Sequence, residues 1–367
     1  MARKSSVLPR KKEQLLSERV PFALHGARIL PRVEVTSYNL ELTEKNKFVG
    51  DRANKKALTK LVQNWRQVLS KNGDDPFAGL SEGDLSRSEM EKFLKKGTPE
   101  AAGVIQSAIH DFAERLVEVI GKYARNAGEW KRVKEIVVGG GLSGSQVGRL
   151  VIGRAQALLS KGKHKIVLRP VSADPDDAAL IGALQLIPGW LFAGFDVAFA
   201  VDIGGSNVRI GAVRFKLDKK MEIGTAKVVF RKHWAHAEDD ASRQEILDFI
   251  TKNLKKAVRW AKRKGLKAVP YIGVACPGRI RADGTVDRGA QNLPGHWESE
   301  NFNLPQYLRD HITVLATQDT VVVMHNDAIL QGLSELPSVR SKVWGVLTIG
   351  TGLGNGSFEF RSRRTSR

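Results

Sequence analysis

The chain has 367 residues, long for one core and comfortable for two lobes. Hydrophobic residues make up 42% and charged residues 27%, ordinary values for a globular protein, while a single cysteine, Cys276, excludes an internal disulfide or a multi-cysteine zinc site. Lysine and arginine outnumber aspartate and glutamate by 59 to 39, a formal charge of +20, so phosphates or acidic surfaces are natural ligands.

Residues 1–31 form a basic arm without clear periodicity (Arg3, Lys4, Arg10, Lys11, Lys12), matched by a basic tail (Arg361, Arg363, Arg364, Arg367). No helix-turn-helix, zinc-finger spacing or RNA-binding motif accompanies them, so solvated tails are preferred over a nucleic-acid partner, which the +20 charge does not exclude. Arg32 to Leu42 alternates as a strand and Ala57 to Ser70 has helical spacing. Asn72 to Asp84 reads as a loop. Thr98-Pro99-Glu100 supplies a cap and a first-turn proline for a helix reaching about Ala124.

Glu135 to Val138 is a short buried strand running into Gly139-Gly140-Gly141. A helix through Ser160, a strand over Lys165 to Leu168 and a helix over Asp176 to Leu186 follow. The apolar run Leu180 to Val201 contains Gln185, Pro188-Gly189 and Asp196, so it reads as helix, turn and strand rather than a membrane span. With no positive-then-apolar leader, a cytoplasmic protein without a membrane partner is expected. Val197 to Asp202 and Val208 to Phe215 form a hairpin around Gly204-Gly205-Ser206-Asn207. Glu245 to Lys264 is a helix and Pro270 to Ala275 a strand. Val321 to Met324 leads into His325-Asn326-Asp327 and a helix to Glu335, and Val343 to Ile349 meets the turn Gly350-Thr351-Gly352-Leu353-Gly354.

Three glycine turns at strand ends carry the chemistry. A phosphate needs close-approaching main-chain N–H groups, which side chains would obstruct. Gly204-Gly205-Ser206 and Gly350-Thr351-Gly352 are two such cradles, and Gly139 to Gly141 offers flat backbone for an adenine or ribose. Asp202, ending its strand beside the first cradle, suits Mg²⁺ bound through water; its plainer role is to cap the turn. Asp327 is placed to take a proton from an attacking hydroxyl; its plainer role is a helix N-cap.

Together these segments resemble the ROK family of sugar kinases, with the two-lobed, actin-like ATPase (ribonuclease-H-like) α/β fold. Asp202 to Asn207 is similar to the family's first phosphate motif and Thr348 to Gly354 to its second. Gly289 to Trp297 resembles the sugar-contacting segment, with His296 inserted before the tryptophan, and His325 to Ala328 the segment carrying the catalytic aspartate. Gly139 to Ser143 and Asp177 to Ala183 resemble the adenosine motif and the closing interdomain helix. The family order holds only if the chain is read as a ring, which implies a circular permutation. Residues 32–187 are then a closing half with the adenosine-binding lobe and 188–196 a junction. Residues 197–342 form the opening lobe, and 343–367 the second phosphate hairpin and basic tail.

The resemblance implies ATP-dependent phosphorylation of a sugar hydroxyl, with Asp327 as base and Asp202 for Mg²⁺. It implies Asn292, Asn326, Gly295 and Trp297 at the sugar, and Gly204, Gly205, Ser206, Asn207, Gly350, Thr351, Gly352, Gly354 and Gly139 to Gly141 at ATP. The family's cysteine-rich zinc segment is missing, so no zinc is expected. Its Glu-x-Gly-His motif is missing too; in ring order the place falls near Phe48 to Ala53, where Asp51 is a candidate hydroxyl acceptor. His233 and His236 are alternatives, an ordinary surface loop being the preferred reading. A non-catalytic sugar or nucleotide sensor, and a homodimer whose halves complete each other's sites, are the competing functional readings.

Overall fold

The structure is a computed structural model that describes residues 24–71, 73, 75–81, 85–162, 165–315 and 317–361. Most of the basic arm and tail, Asn72 and Asp74 therefore lie outside the described residues. Two five-stranded sheets organise the rest. The first contains β1 (Val33–Tyr38), β2 (Glu135–Gly139), β3 (Val167–Pro170), β9 (Val343–Ile349) and β10 (Leu353–Phe360), in the order β1-β10-β9-β2-β3. The second contains β4 (Val197–Ile203), β5 (Val208–Leu217), β6 (Ile223–Trp234), β7 (Ala268–Cys276) and β8 (Val321–Asn326), in the order β6-β5-β4-β7-β8.

The two sheets repeat one plan. In each, three strands pair antiparallel and two more add in parallel beyond the central strand. The second sheet follows the chain directly. In the first, the initial hairpin β9–β10 comes from the end of the chain and its third strand, β1, from near the beginning. Two such sheets give the two-lobed, ribonuclease-H-like α/β fold expected from the motifs.

Burial on both faces explains the apolar run of β4. Val197, Phe199, Val201 and Ile203 point to one side, against α6 (Arg243–Arg263), while Ala198 and Ala200 point to the other. Those small alanines let α5 (Pro175–Gly182) approach closely. Helix α5 leaves the first sheet, while α8 (Asp327–Leu333) leaves the second and packs on the first, its Ile329 and Gly332 meeting Gly356 and Phe358. Where the two helices cross, a Cβ on Gly182 would overlap the Leu330 carbonyl oxygen. The outer helices of the first lobe are α1 (Lys55–Ser70), α2 (Arg87–Lys96), α3 (Pro99–Asn126) and α4 (Gln146–Lys161). Helix α3 starts as expected, with Thr98 Oγ1 accepting from Ala101 N and proline in the first turn. A short α7 (Leu304–His311) lies in the second lobe.

The differences from the sequence pattern have physical causes. Strand β1 stops at Tyr38 because Asn39 is left-handed (φ 49°) and Asn355 hydrogen-bonds both main-chain polar groups of Leu40. Strand β3 lies two residues later than expected. Strand β6 escaped notice because it is an edge strand with few buried positions, and α2 because Met90 is its only fully buried residue. The junction holds a 3₁₀ turn, Gly189–Phe192, whose Phe192 is buried edge-on to Phe215 at 4.9 Å. Leu24 to Leu30, expected to belong to a loose arm, is packed instead. Gly26 N donates to Met324 O, His25 Nδ1 accepts from Met324 N and His325 Nε2 meets Ala27 O, so this stretch seals the free edge of β8. Among the described residues no helix is long and apolar enough to cross a membrane.

Glycine substitutions test the helix crossing. Gly182→Ala is expected to destabilise by about 1–3 kcal/mol through overpacking. Gly103→Ala, exposed within α3 with nothing near its Cβ position, should stabilise by about 0.5–1 kcal/mol. Denaturant unfolding of the two variants reads both signs.

Candidate active site

The two phosphate-type turns face each other. Ser206 Oγ, from the turn between β4 and β5, lies 2.8 Å from Thr351 Oγ1, from the turn between β9 and β10. Each turn spends one hydrogen bond on closing itself, Gly204 N to Asn207 O at 2.8 Å and Gly350 N to Gly352 O at 3.0 Å. Among the described residues, the main-chain N–H groups of Gly205, Ser206, Thr351 and Gly352 have no protein acceptor, and all four residues are only partly buried. Such a set of idle donors suits an anion. A Cβ on Gly205 would press on Asn292 Cβ at 3.1 Å, so Asn292 stands against the first turn; its Nδ2 would be 3.7 Å from one on Gly352. Gly354 has a different task, since a Cβ there would press on Thr348 and on Ala328 at the start of α8.

Two histidines support the first turn. His236 is buried with Nε2 3.0 Å from Gly204 O, and the exposed His233 holds Asn207 Oδ1 through Nε2 at 2.7 Å. The preferred surface-loop reading is thus corrected: both rings brace the cradle. Only the pairing of β5 with β6 brings them there.

Asp202 is buried at the end of β4. Its Oδ2 accepts from Arg209 Nη1 at 3.2 Å, and Arg209 Nη2 reaches Asp176 Oδ1 at 2.6 Å, which ties the cradle to the start of α5. Burial pushes the Asp202 carboxyl above the usual range and the Arg209 charge opposes it. Arg209 Nε is buried without a partner. The cap of α8 is not Asp327 but Asn326, whose Oδ1 accepts from Ala328 N and Ile329 N and whose Nδ2 donates to Gly278 O. Asp327 therefore occupies the first helical position, one residue inside the cap. Burial first, then the Asp202 charge, push that carboxyl up to about 7, against the opposing pull of N–H groups at the helix start.

The sugar-type segment contributes less directly. Trp297 is buried in the second lobe, its indole N–H donating to Pro294 O at 2.8 Å, so it props the loop from behind. Gly295 takes a left-handed φ of 79° against Arg243. The third glycine turn is less open than expected. Gly140 N donates to Gln331 Oε1 at 2.7 Å, a Cβ on Gly139 would clash with Gln331, and one on Gly140 would run into Ile349. Gly141 alone is exposed, with its carbonyl held by Arg87. Asp51 is exposed in a 3₁₀ turn, Val49–Ala53, whose Gly50 packs against Leu353 of the second cradle. The stretch that meets Asn326's neighbours is Leu24 to Leu30, where a Cβ on Gly26 would strike Ile280.

Among the described residues no group of three or more His, Cys, Asp or Glu side chains is placed to hold a metal. Asp202 offers one carboxylate, shared with Arg209. One is enough for Mg²⁺ whose remaining ligands are water and phosphate oxygens.

No family model and no curated protein matches the chain. Solved structures do. A ROK hexokinase from Thermus thermophilus is 20% identical over 47% of this chain and 50% of its own, with a TM-score of 0.31. A ROK family glucokinase from Streptomyces griseus, solved with glucose and AMPPNP, is 22% identical over 46% of this chain and 47% of its own, with a TM-score of 0.32. An exopolyphosphatase from Cytophaga hutchinsonii is 13% identical over 46% of this chain and 51% of its own, with a TM-score of 0.25. The chain thus spans about half the length of these relatives.

The raised Asp327 carboxyl has a consequence for stability. Between roughly pH 4, where an unfolded aspartate ionises, and about pH 7, the unfolded chain releases a proton that the native state keeps. Stability therefore falls as pH rises through that window. Asp327→Asn should raise the melting temperature relative to the parent at pH 8, the gain shrinking towards pH 4; a pH-independent difference would mean that Asp327 ionises normally.

Proposed function

We propose that the chain is an ATP-dependent kinase of the ROK type that phosphorylates a sugar hydroxyl, in the manner of a glucokinase-like hexose kinase. The observation that carries this reading is the opposed pair of glycine turns with idle N–H donors, next to an aspartate at the first position of a helix that Asn326 caps. Asp327 accepts the hydroxyl proton as the sugar oxygen bonds to the γ-phosphorus and the bond to the ADP oxygen breaks. The donors of Gly205, Ser206, Thr351 and Gly352 hold the phosphate oxygens in line. Asp202 would hold Mg²⁺, which would neutralise phosphate charge. Asn292 orients the sugar, Asn326 sets the helix start that carries Asp327, Gly141 flanks the adenosine, and closure of the lobes excludes water.

The chain is further proposed to be a circular permutation. Both sheets follow one strand order, and the first does so only when its last hairpin, β9–β10, is read before β1.

A non-catalytic sensor is favoured by one observation: Arg209 already neutralises Asp202. Purified protein with Mg²⁺-ATP and a panel of hexoses, amino sugars and polyols separates the readings through ADP release. Sugar-dependent release, rising with pH through about 7 and reduced at least about 100-fold in Asp327→Asn, is expected of the kinase. Asp327→Asn should still bind ATP by calorimetry. Full activity in that variant would sink the mechanism, and ATP binding without release by the parent would leave the sensor.

A further inference from the structure

Helix α6 carries a charge pattern that the kinase reading does not use. Lys252, Lys255, Lys256, Arg259, Lys262 and Arg263 are all exposed. At 100° per residue they fall within an arc of about 120°, spread over roughly 16 Å of helix. Lys264 and Lys267, also exposed, continue the row past the helix end. From Phe249 to Ala268 the sequence has no acidic residue, and among the described residues no carboxylate forms an ion pair with any of the eight side chains; Asp196 accepts only from the main-chain N of Lys267.

Two bland explanations fall short. A cation near a helix C-terminus complements the macrodipole, but that effect fades within the last turn, whereas this stripe covers three. Solvation alone would be served by mixed signs. Instead like charges stand four apart at Lys252/Lys256, Lys255/Arg259 and Arg259/Arg263, and three apart at Lys252/Lys255, Lys256/Arg259 and Arg259/Lys262. Every such pair opposes the helix. The helix forms because its other face, Ile246, Ile250, Leu254, Ala257 and Ala261, is buried on the second sheet. The repulsion is therefore carried by the fold without relief from within it.

We propose that this stripe binds the phosphate backbone of a nucleic acid without reading its sequence. A row of cations along a rigid helix matches a row of phosphates, and it needs no apolar insertion. A membrane surface fits less well, because an interfacial helix must turn its apolar face to lipid and that of α6 is committed to the sheet. The flank of the stripe adds half-buried rings: Phe230 lies 5.6 Å from Trp260, and Lys232 reaches 5.9 Å from the Phe230 ring. The second sheet lies between this surface and α5, on which the odd and even residues of β4 pack oppositely. The surface is thus separate from the candidate active site, and the proposal stands whether or not the chain is a kinase.

The test is fluorescence anisotropy of the full chain with a short mixed-sequence DNA duplex and its RNA counterpart, across a salt series. Alongside it run Lys252→Gln/Lys256→Gln/Arg259→Gln/Arg263→Gln, a variant built from good helix formers, and a second in which the two basic types are exchanged, Lys→Arg and Arg→Lys, at those positions. The glutamine variant should bind at least about 10-fold more weakly near 100 mM salt, with a log–log salt slope shallower by roughly 3 to 4, while the exchanged variant should bind like the parent. Unchanged binding in the glutamine variant would assign the affinity to the basic arm and tail and overturn the proposal. So would no nucleic-acid binding at low salt, or binding to phosphatidylserine vesicles only.

Discussion

The crossing of α5 and α8 is the constraint on which the rest of the molecule depends. Each helix grows from one sheet and packs on the other, so neither lobe completes its core without its counterpart's chain. Closest approach is possible because Gly182 has no side chain where Leu330 presents its carbonyl, and because Gly211 and Gly273 leave room for Leu180 and Ala183. The same two helices bring their N-termini to the candidate site. Asp176 starts α5 and holds Arg209, while Asp327 starts α8. Movement between the lobes would therefore change the distances between the groups that matter chemically.

Electrostatics in the cleft follows from that geometry. Three carboxylates, Asp176, Asp202 and Asp327, converge on a region where Arg209 is the paired cation. Arg209 takes two of them, which leaves Asp327 with burial and the Asp202 charge both acting to keep its proton. A carboxyl that titrates near physiological pH has an ionised fraction able to accept a proton and is basic enough to do so, which suits a general base. In the two glycine turns, main-chain donors have no protein acceptor among the described residues. Acidic side chains on one side and idle N–H groups on the other make a site polarised before any ligand enters.

The segment Leu24 to Leu30 solves a different problem. Strand β8 is the last of its sheet, and its outer edge would present unpaired main-chain groups beside Asp327. Gly26, His25 and Ala27 satisfy groups on Met324 and His325, and the chain then turns through Leu30 into β1 of the other sheet. Burial pushes His25 down to about 4, so it remains the neutral acceptor that this contact needs. One short stretch thereby seals an edge and links the two sheets.

By itself the sequence determined the local elements whose pattern is strong. The continuous apolar strands β4, β8 and β9, the capped helix α3 and the glycine turns at strand ends announce themselves, since a buried strand or a tight turn admits few residue types. Asp202 and Asp327 were visible as candidates because one lies at the end of such a strand and the other follows one. Tertiary structure decided what long-range pairing alone can decide. It set Asn326 rather than Asp327 as the cap and put His233 and His236 beneath the first cradle. It closed Gly139 and Gly140 against Gln331 and Ile349, turned Trp297 inward, and folded Leu24 to Leu30 onto β8. A residue's type fixes what it can bond to, but which partner it meets depends on segments up to 300 residues away, and no local pattern records that distance.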